Sequence, residues 1–413
     1  MVKKMLSDMK SRKAGKLFEA AQKYFPGGVN SPVRSFRAVG TKPIFVKSAK
    51  GSKIHTSDGE TYIDYCMSWG ALISGHSDNE ILKAVRKQLA LGTSYGFTNI
   101  FETELAEMIS DAFPSVEMMR FVNSGTEATT SAVRLAFGYT GKSKILKFTG
   151  CYHGASELFF DRKNYFEVSY NDLSSVSSAI KKHYNEIACI IIEPIAGNMG
   201  VVLPAANFLK GIKDLCNRYN ILLIFDEVIS GFRPGYCGAQ KLYGLKPDLT
   251  CLGKIIGGGF PIGAFGGKKE IMKKIAPSGN VYQAGTFSAN PVTIVAGIEI
   301  LKKLQTANYK LLDDKITFMC KSIKKQAQKR NIDIQINTFG SMFSVFFSGQ
   351  KVIDYSSAKK QDIKKFKKFY NFLFSKGILF SPSPFESDFI SFAHTDKDIE
   401  KTVSEVSHTF GRL

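Results

Sequence analysis

Two acidic residues and one lysine stand where their side chains could do chemistry. Asp226 and Glu227 directly follow residues 221–225, a short unbroken apolar run that is typical of a strand buried on both faces in a parallel sheet. Lys254 follows a second apolar stretch, residues 249–252, and a run of three glycines begins shortly after it. Ligands of open α/β sheets bind at the carboxyl ends of the strands. We therefore expect these charged side chains to face a cleft.

A lysine amine and a strand-end carboxylate are the two groups that pyridoxal phosphate (PLP) chemistry requires. The amine bonds covalently to the cofactor aldehyde, and the carboxylate keeps the pyridine nitrogen protonated so that the ring can accept electrons. Lys254 and Asp226 could fill these two roles. An Asp-Glu pair at a strand end is also common as a helix cap or ion pair, so the spacing alone leaves both interpretations open.

A possible phosphate site precedes these residues in the chain. Residues 118–122 read as a strand, and the turn Ser124-Gly125-Thr126 leads from it into an apolar-periodic helix. Backbone N–H groups at a helix N-terminus, together with two small hydroxyls, can cradle a phosphate. The same residues also fit a plain helix N-cap with a glutamate after it, and the pattern alone does not decide between the two.

Length and composition limit the class of protein. A chain of 413 residues with 44% hydrophobic and 22% charged residues is typical of a globular protein with one large and one smaller domain. No apolar stretch reaches membrane-spanning length, and the start of the chain predicts an amphipathic helix rather than a targeting peptide. The seven cysteines contain no CxxC pair and the histidines have no ligand-like spacing, so we expect reduced thiols, a cytoplasmic protein and no metal site.

The formal net charge of +20 raises the question of an anionic partner. Lysines are densest in residues 359–376, where four apolar side chains share one helical face with lysines off it; these are Ile363, Phe366, Tyr370 and Leu373. This pattern favours a helix packed on a small-domain sheet over a nucleic-acid or membrane surface. We therefore expect neither partner.

The stretches FDEV, GLKPDL and LGKIIGGGFPIGAFGG resemble the class III aminotransferases, which are PLP-dependent transferases of fold type I. Among them they are most similar to the glutamate-1-semialdehyde 2,1-aminomutases. The resemblance implies an α/β fold, with a large domain built on a mostly parallel seven-stranded sheet flanked by helices, plus a smaller α+β domain. We expect residues 1–60 to contribute to the small domain, 61–300 to form the PLP-binding domain and 301–413 to complete the small domain.

The resemblance also assigns cofactor contacts. It implies that Tyr152, in the motif CYHG, stacks on the pyridine ring and that Asn198 reaches the 3′-oxygen of the cofactor. It also implies that Ser124, Gly125 and Thr126 bind the cofactor phosphate. Asp226 would contact the ring nitrogen, and Lys254 would bond covalently to the cofactor. Gly285 and Thr286 would reach the phosphate of the neighbouring subunit, so a homodimer with shared active sites is expected.

Four further residues are expected to contact the substrate. The segment FPGGVNSPVR resembles an aminomutase signature, which implies that Ser31 and Arg34 hold a substrate carboxylate, since the arginine fork meets a carboxylate with two bonds. Trp69, the only tryptophan, would lie beside the substrate. The ordinary alternatives are a core position for Trp69 and a surface position for Arg34. Glu386 stands where transaminases of this class carry an arginine, and a carboxylate there would disfavour binding of dicarboxylates.

The sequence departs from the family after His153. The aminomutases carry a long Gly/Ser-rich lid before the next helix, whereas here only ASELFFDRKNYFEVS separates Gly154 from Tyr170. This departure leaves open whether the shortened segment, or a substituted or domain-swapped one, closes the site as the lid does in the family. The resemblance implies PLP- and pyridoxamine phosphate-dependent conversion of glutamate-1-semialdehyde to 5-aminolevulinate in tetrapyrrole biosynthesis. The alternative is a class III transaminase with an external amino donor. A transient contact with glutamyl-tRNA reductase is a further expectation that the sequence itself does not test.

Overall fold

The computed structural model describes residues 13–413, which contain fourteen strands. In chain order they are β1 (Val46–Lys50), β2 (Lys53–Thr56), β3 (Thr61–Asp64), β4 (Met118–Val122), β5 (Lys144–Phe148), β6 (Tyr165–Val168), β7 (Ile187–Ile192), β8 (Leu222–Asp226), β9 (Leu249–Gly253), β10 (Gly263–Gly267), β11 (Gln335–Phe339), β12 (Met342–Phe346), β13 (Ile378–Leu379) and β14 (Asp388–Phe389).

Apart from the four-residue turn Met67–Gly70, in which Ser68 and Trp69 have left-handed backbone angles, the α-helices of the same described residues alternate with the strands over much of the chain. They are α1 (Lys13–Gln22), α2 (Asn79–Leu89), α3 (Glu102–Ala112), α4 (Gly125–Thr140), α5 (Glu157–Phe160), α6 (Leu173–His183), α7 (Phe208–Tyr219), α8 (Ala239–Leu242), α9 (Lys269–Met272), α10 (Pro291–Gln305), α11 (Lys310–Gln328), α12 (Tyr355–Lys359), α13 (Ile363–Ser375) and α14 (Asp396–Phe410). Of the amphipathic N-terminal helix that the sequence predicts, residues 1–12 lie outside the described part.

The central sheet has seven strands in the order β4-β10-β9-β8-β7-β5-β6. Strands β9, β8, β7, β5 and β6 pair in parallel, and only β10 runs antiparallel, to both of its neighbours. Alternate residues of β7 and β8 pack into two different core clusters, one with α6 and α7 and the other with α4. The predicted α/β fold, with helices on both faces of a mostly parallel seven-stranded sheet, is confirmed.

Two smaller sheets complete the described chain. One has the order β1-β2-β3-β13 and the other β11-β12-β14. Strand β13 pairs in parallel with β3, which brings the N-terminal region and the C-terminal region into one sheet. The pairing agrees with an N-terminal contribution to the small domain, and the domain boundaries stay a prediction.

The lysine-rich helix α13 packs as its periodicity predicts. Phe366, Tyr370 and Leu373 are buried, whereas Lys364 and Lys365 are exposed. The helix packs against α14 and β13, so its apolar face is covered by the protein itself. Within residues 13–413, no helix combines the length and the apolar character that crossing a bilayer requires.

Candidate active site

Asp226 and Lys254 lie at the carboxyl ends of two neighbouring parallel strands. Asp226 is the last residue of β8 and pairs in register with Cys251 of β9, while Lys254 follows the end of β9. The Asp226 and Lys254 side chains therefore start from the same end of the sheet, where the sequence predicts a cleft. The Val228 side chain lies between this edge and helix α4, because a Cβ added to Gly125 would lie 3.0 Å from it.

The backbone is strained at Lys254 itself and at residues 67–69, which contact it. Met67, Ser68 and Trp69 have left-handed φ angles of 44°, 54° and 58°, and Lys254 has a φ of 48°. The Lys254 ammonium Nζ donates a hydrogen bond of 2.6 Å to the carbonyl oxygen of Trp69. Non-glycine residues in this region cost on the order of 1–3 kcal/mol each, and such strain concentrates at functional sites. Trp69 is half-buried and its backbone carbonyl contacts Lys254, while the role of its side chain in binding substrate stays a prediction.

Lys254 and Glu386 are half-buried neighbours of opposite charge. Burial lowers the pKa of Lys254, and Glu386 works against that effect. Burial raises the pKa of Glu386 to about 7, and Lys254 opposes this rise. Residues 383–387 are docked against residues 197–200 through hydrogen bonds from Gly200 N to the Phe385 carbonyl and from Ser387 Oγ to the Gly197 carbonyl. The glutamate is thus held beside the lysine by a fixed loop.

Asp226 is paired with His153. The His153 Nδ1 lies 2.8 Å from Asp226 Oδ2, and both side chains are buried. Facing a carboxylate, this nitrogen must carry the proton that it donates. Asp226 Oδ1 accepts from the Val228 N–H at 3.1 Å. The His153 Nε2 is buried without a hydrogen-bond partner among the described residues, an unmet polar group of the kind that marks functional sites.

The adjacent acid Glu227 has a different environment. Its carboxylate accepts hydrogen bonds from the Ala239 and Gln240 N–H groups at 2.7 and 3.0 Å and from the Ser230 hydroxyl at 2.8 Å. It therefore fixes the first turn of α8 instead of facing the cleft. The helix-cap interpretation of the Asp-Glu pair thus applies to Glu227, and the role of Asp226 in the site stays a prediction.

The N-terminus of α4 faces the same cleft. Ser124 is the N-cap, its hydroxyl accepts from the Glu127 N–H at 3.1 Å, and the helix begins at Gly125. The first N–H groups of a helix have no intrahelical acceptor, so those of Gly125 and Thr126 can bind an anion. Gly154 approaches Thr126 so closely that an added Cβ would lie 2.5 Å from its Oγ1. The predicted N-cap is confirmed, and its geometry fits a phosphate.

Glu193 organises the opposite wall of the cleft. Its carboxylate accepts from the Tyr152 and Gly197 N–H groups at 2.8 and 2.9 Å and from Asn198 Nδ2 at 3.1 Å. Burial raises the pKa of Glu193. The Tyr152 side chain stays about half exposed, and its pKa is raised by partial burial and by Glu386. Tyr152 and Asn198 are thus held by one buried carboxylate.

Other predicted residues lie on exposed loops. Gly285 and Thr286 are exposed, Ser31 is half-buried, and the Arg34 side chain points from the short 3-10 turn Pro32–Ser35 as an exposed group. No hydrogen bond among residues 13–413 joins these side chains to Lys254, Asp226 or Glu386. Their roles stay predictions.

One buried arginine was missed by sequence reasoning. Arg233 donates to the carbonyl oxygens of Gly70 and Ile229, and its guanidinium stacks 4.6 Å from the Phe389 ring. Burial lowers its pKa to about 9. It holds the strained turn that carries Trp69. The only signal in the sequence is its nearness to Asp226, which does not reveal burial.

The segment after His153 is folded against the sheet edge. It forms the short helix α5, a 3-10 turn (Arg162–Asn164) and strand β6, which pairs with β5. Phe159 of α5 is buried, with its ring 5.7 Å from the His153 ring. The segment therefore covers the back of the Asp226–His153 pair.

The site offers an amine, a carboxylate at a strand end and a helix N-terminus, the groups that a cofactor with an aldehyde, a ring nitrogen and a phosphate requires. No group of three or more potential metal ligands occurs in residues 13–413. The family model "Aminotransferase class-III" matches residues 36–160 and 161–406. The chain belongs to the class III aminotransferases. The family assignment from the sequence motifs is confirmed.

Relatives with high similarity are aminomutases by name. The chain is 47% identical to the glutamate-1-semialdehyde 2,1-aminomutase of Thermodesulfovibrio yellowstonii, over 98% of this chain and all of that one. It is also 47% identical to that of Bacillus subtilis, over 96% and 97%. The first alignment extends over 427 positions against 413 residues here, so that relative has residues that this chain lacks. The break between residues 160 and 161 in the family match falls inside the shortened segment.

Solved structures of a transaminase and of an aminomutase have the same fold. An omega-transaminase from Sphaerobacter thermophilus superposes with a TM-score of 0.91 at 30% identity, covering 97% of this chain and 98% of that one. A glutamate-1-semialdehyde-aminomutase from Pseudomonas aeruginosa in complex with PMP superposes with a TM-score of 0.90 over 100% of this chain and 97% of that one. Its identity is 18%, so it bears on the fold alone.

The raised pKa of Glu386 predicts pH-dependent binding of dicarboxylates in this class III aminotransferase. Glu386 loses its proton as the pH rises through about 7, and the ionised form repels an anion. Both carboxyls of glutarate are ionised across this range, so we expect glutarate to bind about tenfold more weakly at pH 8 than at pH 6. Fluorescence of Trp69, the only tryptophan, can report this binding.

The matched control is Glu386→Gln, in which the change between pH 6 and pH 8 should largely disappear. The neighbouring titratable groups are Lys254, Tyr152 and Glu193, and they remain in the variant. An unchanged pH dependence in Glu386→Gln would assign the effect to one of those groups instead.

Proposed function

We propose that this protein is a PLP-dependent aminomutase that converts glutamate-1-semialdehyde to 5-aminolevulinate in tetrapyrrole biosynthesis. The observation that carries the proposal is the sequence identity of 45–47%, over nearly the full length, to proteins named glutamate-1-semialdehyde 2,1-aminomutase. The half-buried carboxylate of Glu386 beside Lys254 favours a mutase over a transaminase. A transaminase must bind a second substrate, commonly a dicarboxylate, which the ionised glutamate repels.

The proposed cofactor contacts rest on the resemblance of the sequence motifs, supported where the cleft brings the same residues together. Bound PLP or pyridoxamine phosphate supplies an electron sink and a carried amino group. Asp226, held by His153, is suited to keep a ring nitrogen protonated. Ser124, Gly125 and Thr126 would bind the cofactor phosphate, Tyr152 would stack on the ring, and Asn198 would contact the 3′-oxygen. Lys254 would form the covalent bond. Gly285 and Thr286 would bind the phosphate of the cofactor in the partner subunit.

Lys254 is the proposed general acid and base. Its Nζ must be neutral to accept a proton, and burial favours the neutral form because it lowers the pKa. The Trp69 carbonyl, 2.6 Å away, orients the amine. Ser31, Arg34, Trp69 and Glu386 are the proposed substrate contacts. Arg34 would bind the substrate carboxylate with its exposed guanidinium.

A homodimer with shared active sites is part of the proposal. Four large apolar side chains are unusually exposed for a monomer: Phe97 (87%), Ile100 (86%), Tyr282 (70%) and Phe287 (59%). The two loops that carry them are joined by hydrogen bonds from Asn99 Nδ2 to the Ala289 carbonyl and from Asn290 Nδ2 to the Thr93 carbonyl. A second copy of the chain would cover this surface and receive Gly285 and Thr286. Cytoplasmic location and transient contact with glutamyl-tRNA reductase belong to the same proposal.

The test is incubation of the protein, loaded with pyridoxamine phosphate, with glutamate-1-semialdehyde alone. Formation of 5-aminolevulinate without an added amino or keto acid supports the mutase. Strict dependence on a second substrate supports the alternative, a class III transaminase, which the likeness to the Sphaerobacter thermophilus omega-transaminase keeps in view. Lys254→Ala protein corrects for reaction without catalysis.

In the proposed reaction the diamine 4,5-diaminovalerate forms as an intermediate that must stay in the site, and the shortened segment predicts that it leaks. Within this segment Tyr165–Val168 pair with β5 and residues 157–164 form the short helix α5 and a 3-10 turn, so the segment is not a long Gly/Ser-rich lid and the diamine should escape more readily than from an enzyme with that lid. Rapid-quench sampling should find several-fold more free diamine per turnover than with the Bacillus subtilis aminomutase under the same conditions. Equal retention by the two enzymes would refute this prediction.

A further inference from the structure

Arg120 donates three hydrogen bonds to the segment just before the loop that carries Gly285. It lies in the middle of the sheet-edge strand β4. Its Nη1 donates to the Gln283 carbonyl oxygen at 2.9 Å and to Gln283 Oε1 at 3.3 Å, and its Nη2 donates to the Ala276 carbonyl oxygen at 2.9 Å. All three acceptors are amide oxygens, so the arginine positions a loop and neutralises no carboxylate among them.

The loop is fixed up to this point and exposed beyond it. Two backbone hydrogen bonds hold the segment before it: Ala276 N–H donates to the Val281 carbonyl and Val281 N–H donates to the Lys274 carbonyl, both at 2.9 Å. Val281 also packs closely on Gly138 of α4. After Gln283 the chain is exposed over residues 284–287. Arg120 therefore sets the direction in which the exposed part leaves the protein.

The same strand leads directly into the chain's own phosphate cradle. Asn123 follows the end of β4, and its Nδ2 would lie 3.5 Å from a Cβ on Gly285. Ser124 comes next and caps α4. Arg120 thus stands between two structures that could each hold a phosphate: the helix N-terminus of its own subunit and the exposed loop at Gly285.

We propose that Arg120 is a positioning residue for the cofactor phosphate of the partner subunit, acting through the loop at Gly285 and Thr286. The inference rests on the proposed shared active site. The planar guanidinium bonds two carbonyls of the loop at once, which neither lysine nor glutamine can do in the same geometry. Its loss leaves both carbonyls without their donor and lets the loop move. The effect must then appear in the partner's site and not in its own.

Single variants establish the size of the effect. PLP affinity is read as the fraction of chains that carry the cofactor at Lys254 after borohydride reduction, measured by mass spectrometry across a PLP titration. We expect Arg120→Gln to weaken the affinity roughly tenfold, with only partial recovery in Arg120→Lys. Arg134→Gln, an exposed arginine on α4, is the matched control and should bind as the wild type does.

Heterodimers decide in which subunit Arg120 acts. In the first, one chain carries Lys254→Ala and the other Arg120→Gln, so the only site that can be labelled receives a loop with an intact arginine. In the second, both substitutions are on one chain and the other is wild type, so that site receives the altered loop. We expect wild-type affinity in the first heterodimer and the roughly tenfold loss in the second.

Each other outcome has a distinct meaning. The reverse pattern would show that Arg120 supports its own subunit's cradle and would overturn the inference, as would two equal affinities or a failure of the chains to dimerise. Absence of label at Lys254 in the wild-type homodimer would instead overturn the proposed function itself.

Discussion

Replacing Lys254 with alanine is expected to lower kcat by about 10³-fold or more, because one side chain supplies both the covalent attachment and the proton transfer. Lys254 follows the end of β9 and has a strained backbone. Partial removal from water lowers the pKa of its amine, which favours the neutral form. Steady-state formation of 5-aminolevulinate, measured at saturating cofactor, gives the loss.

Two further variants separate chemistry from charge. Lys254→Arg keeps a cation that can bond the Trp69 carbonyl, but it offers neither the nucleophile nor a titratable amine, so we expect it to be as inactive as the alanine variant. Lys246→Ala removes an exposed lysine and should retain full activity. Activity above one tenth of wild type in Lys254→Ala would mean that another residue carries the reaction.

Replacing Asp226 with asparagine should lower kcat by roughly 10²–10³-fold, the usual cost of removing one group that stabilises developing charge. The asparagine keeps the shape but cannot hold a proton on a ring nitrogen through charge. Asp226→Glu restores the charge and should recover part of the rate, limited by the 2.8 Å contact with His153 that a longer side chain disturbs.

The neighbouring acid provides the contrast. Glu227→Gln weakens the bonds to the first turn of α8 and should lower the free energy of unfolding by about 1–3 kcal/mol, with a much smaller effect on kcat. Thermal unfolding and kcat measured on both variants give opposite rankings if the assignments are right. A loss of stability without a loss of rate in Asp226→Asn would show that the two roles are exchanged.

The strand ends and the helix start could be predicted because they depend on local patterns. The apolar runs before Asp226 and Lys254 form β8 and β9, and Ser124 caps α4 where the Ser-Gly-Thr turn places it. The opposite fates of Asp226 and Glu227 also have a local signal, since consecutive residues at a strand end point to different faces.

The remaining contacts depend on chain segments far apart in sequence. His153 and Asp226 are 73 residues apart, and the Trp69 carbonyl and Lys254 are 185 apart, so no spacing rule joins them. The left-handed turn at residues 67–69 contains no glycine or asparagine to announce it, because Arg233 and the surrounding packing impose that conformation. Such contacts follow from the tertiary fold alone.

Covalent trapping of the cofactor tests the central claim most directly. The purified protein is incubated with one equivalent of PLP per chain, reduced with borohydride and digested, and the peptides are analysed by mass spectrometry. We predict a phosphopyridoxyl group on Lys254 in nearly every chain, and its loss in Lys254→Ala. A Lys254 peptide that stays unmodified even with PLP in excess, or label spread evenly over exposed lysines, would contradict the account.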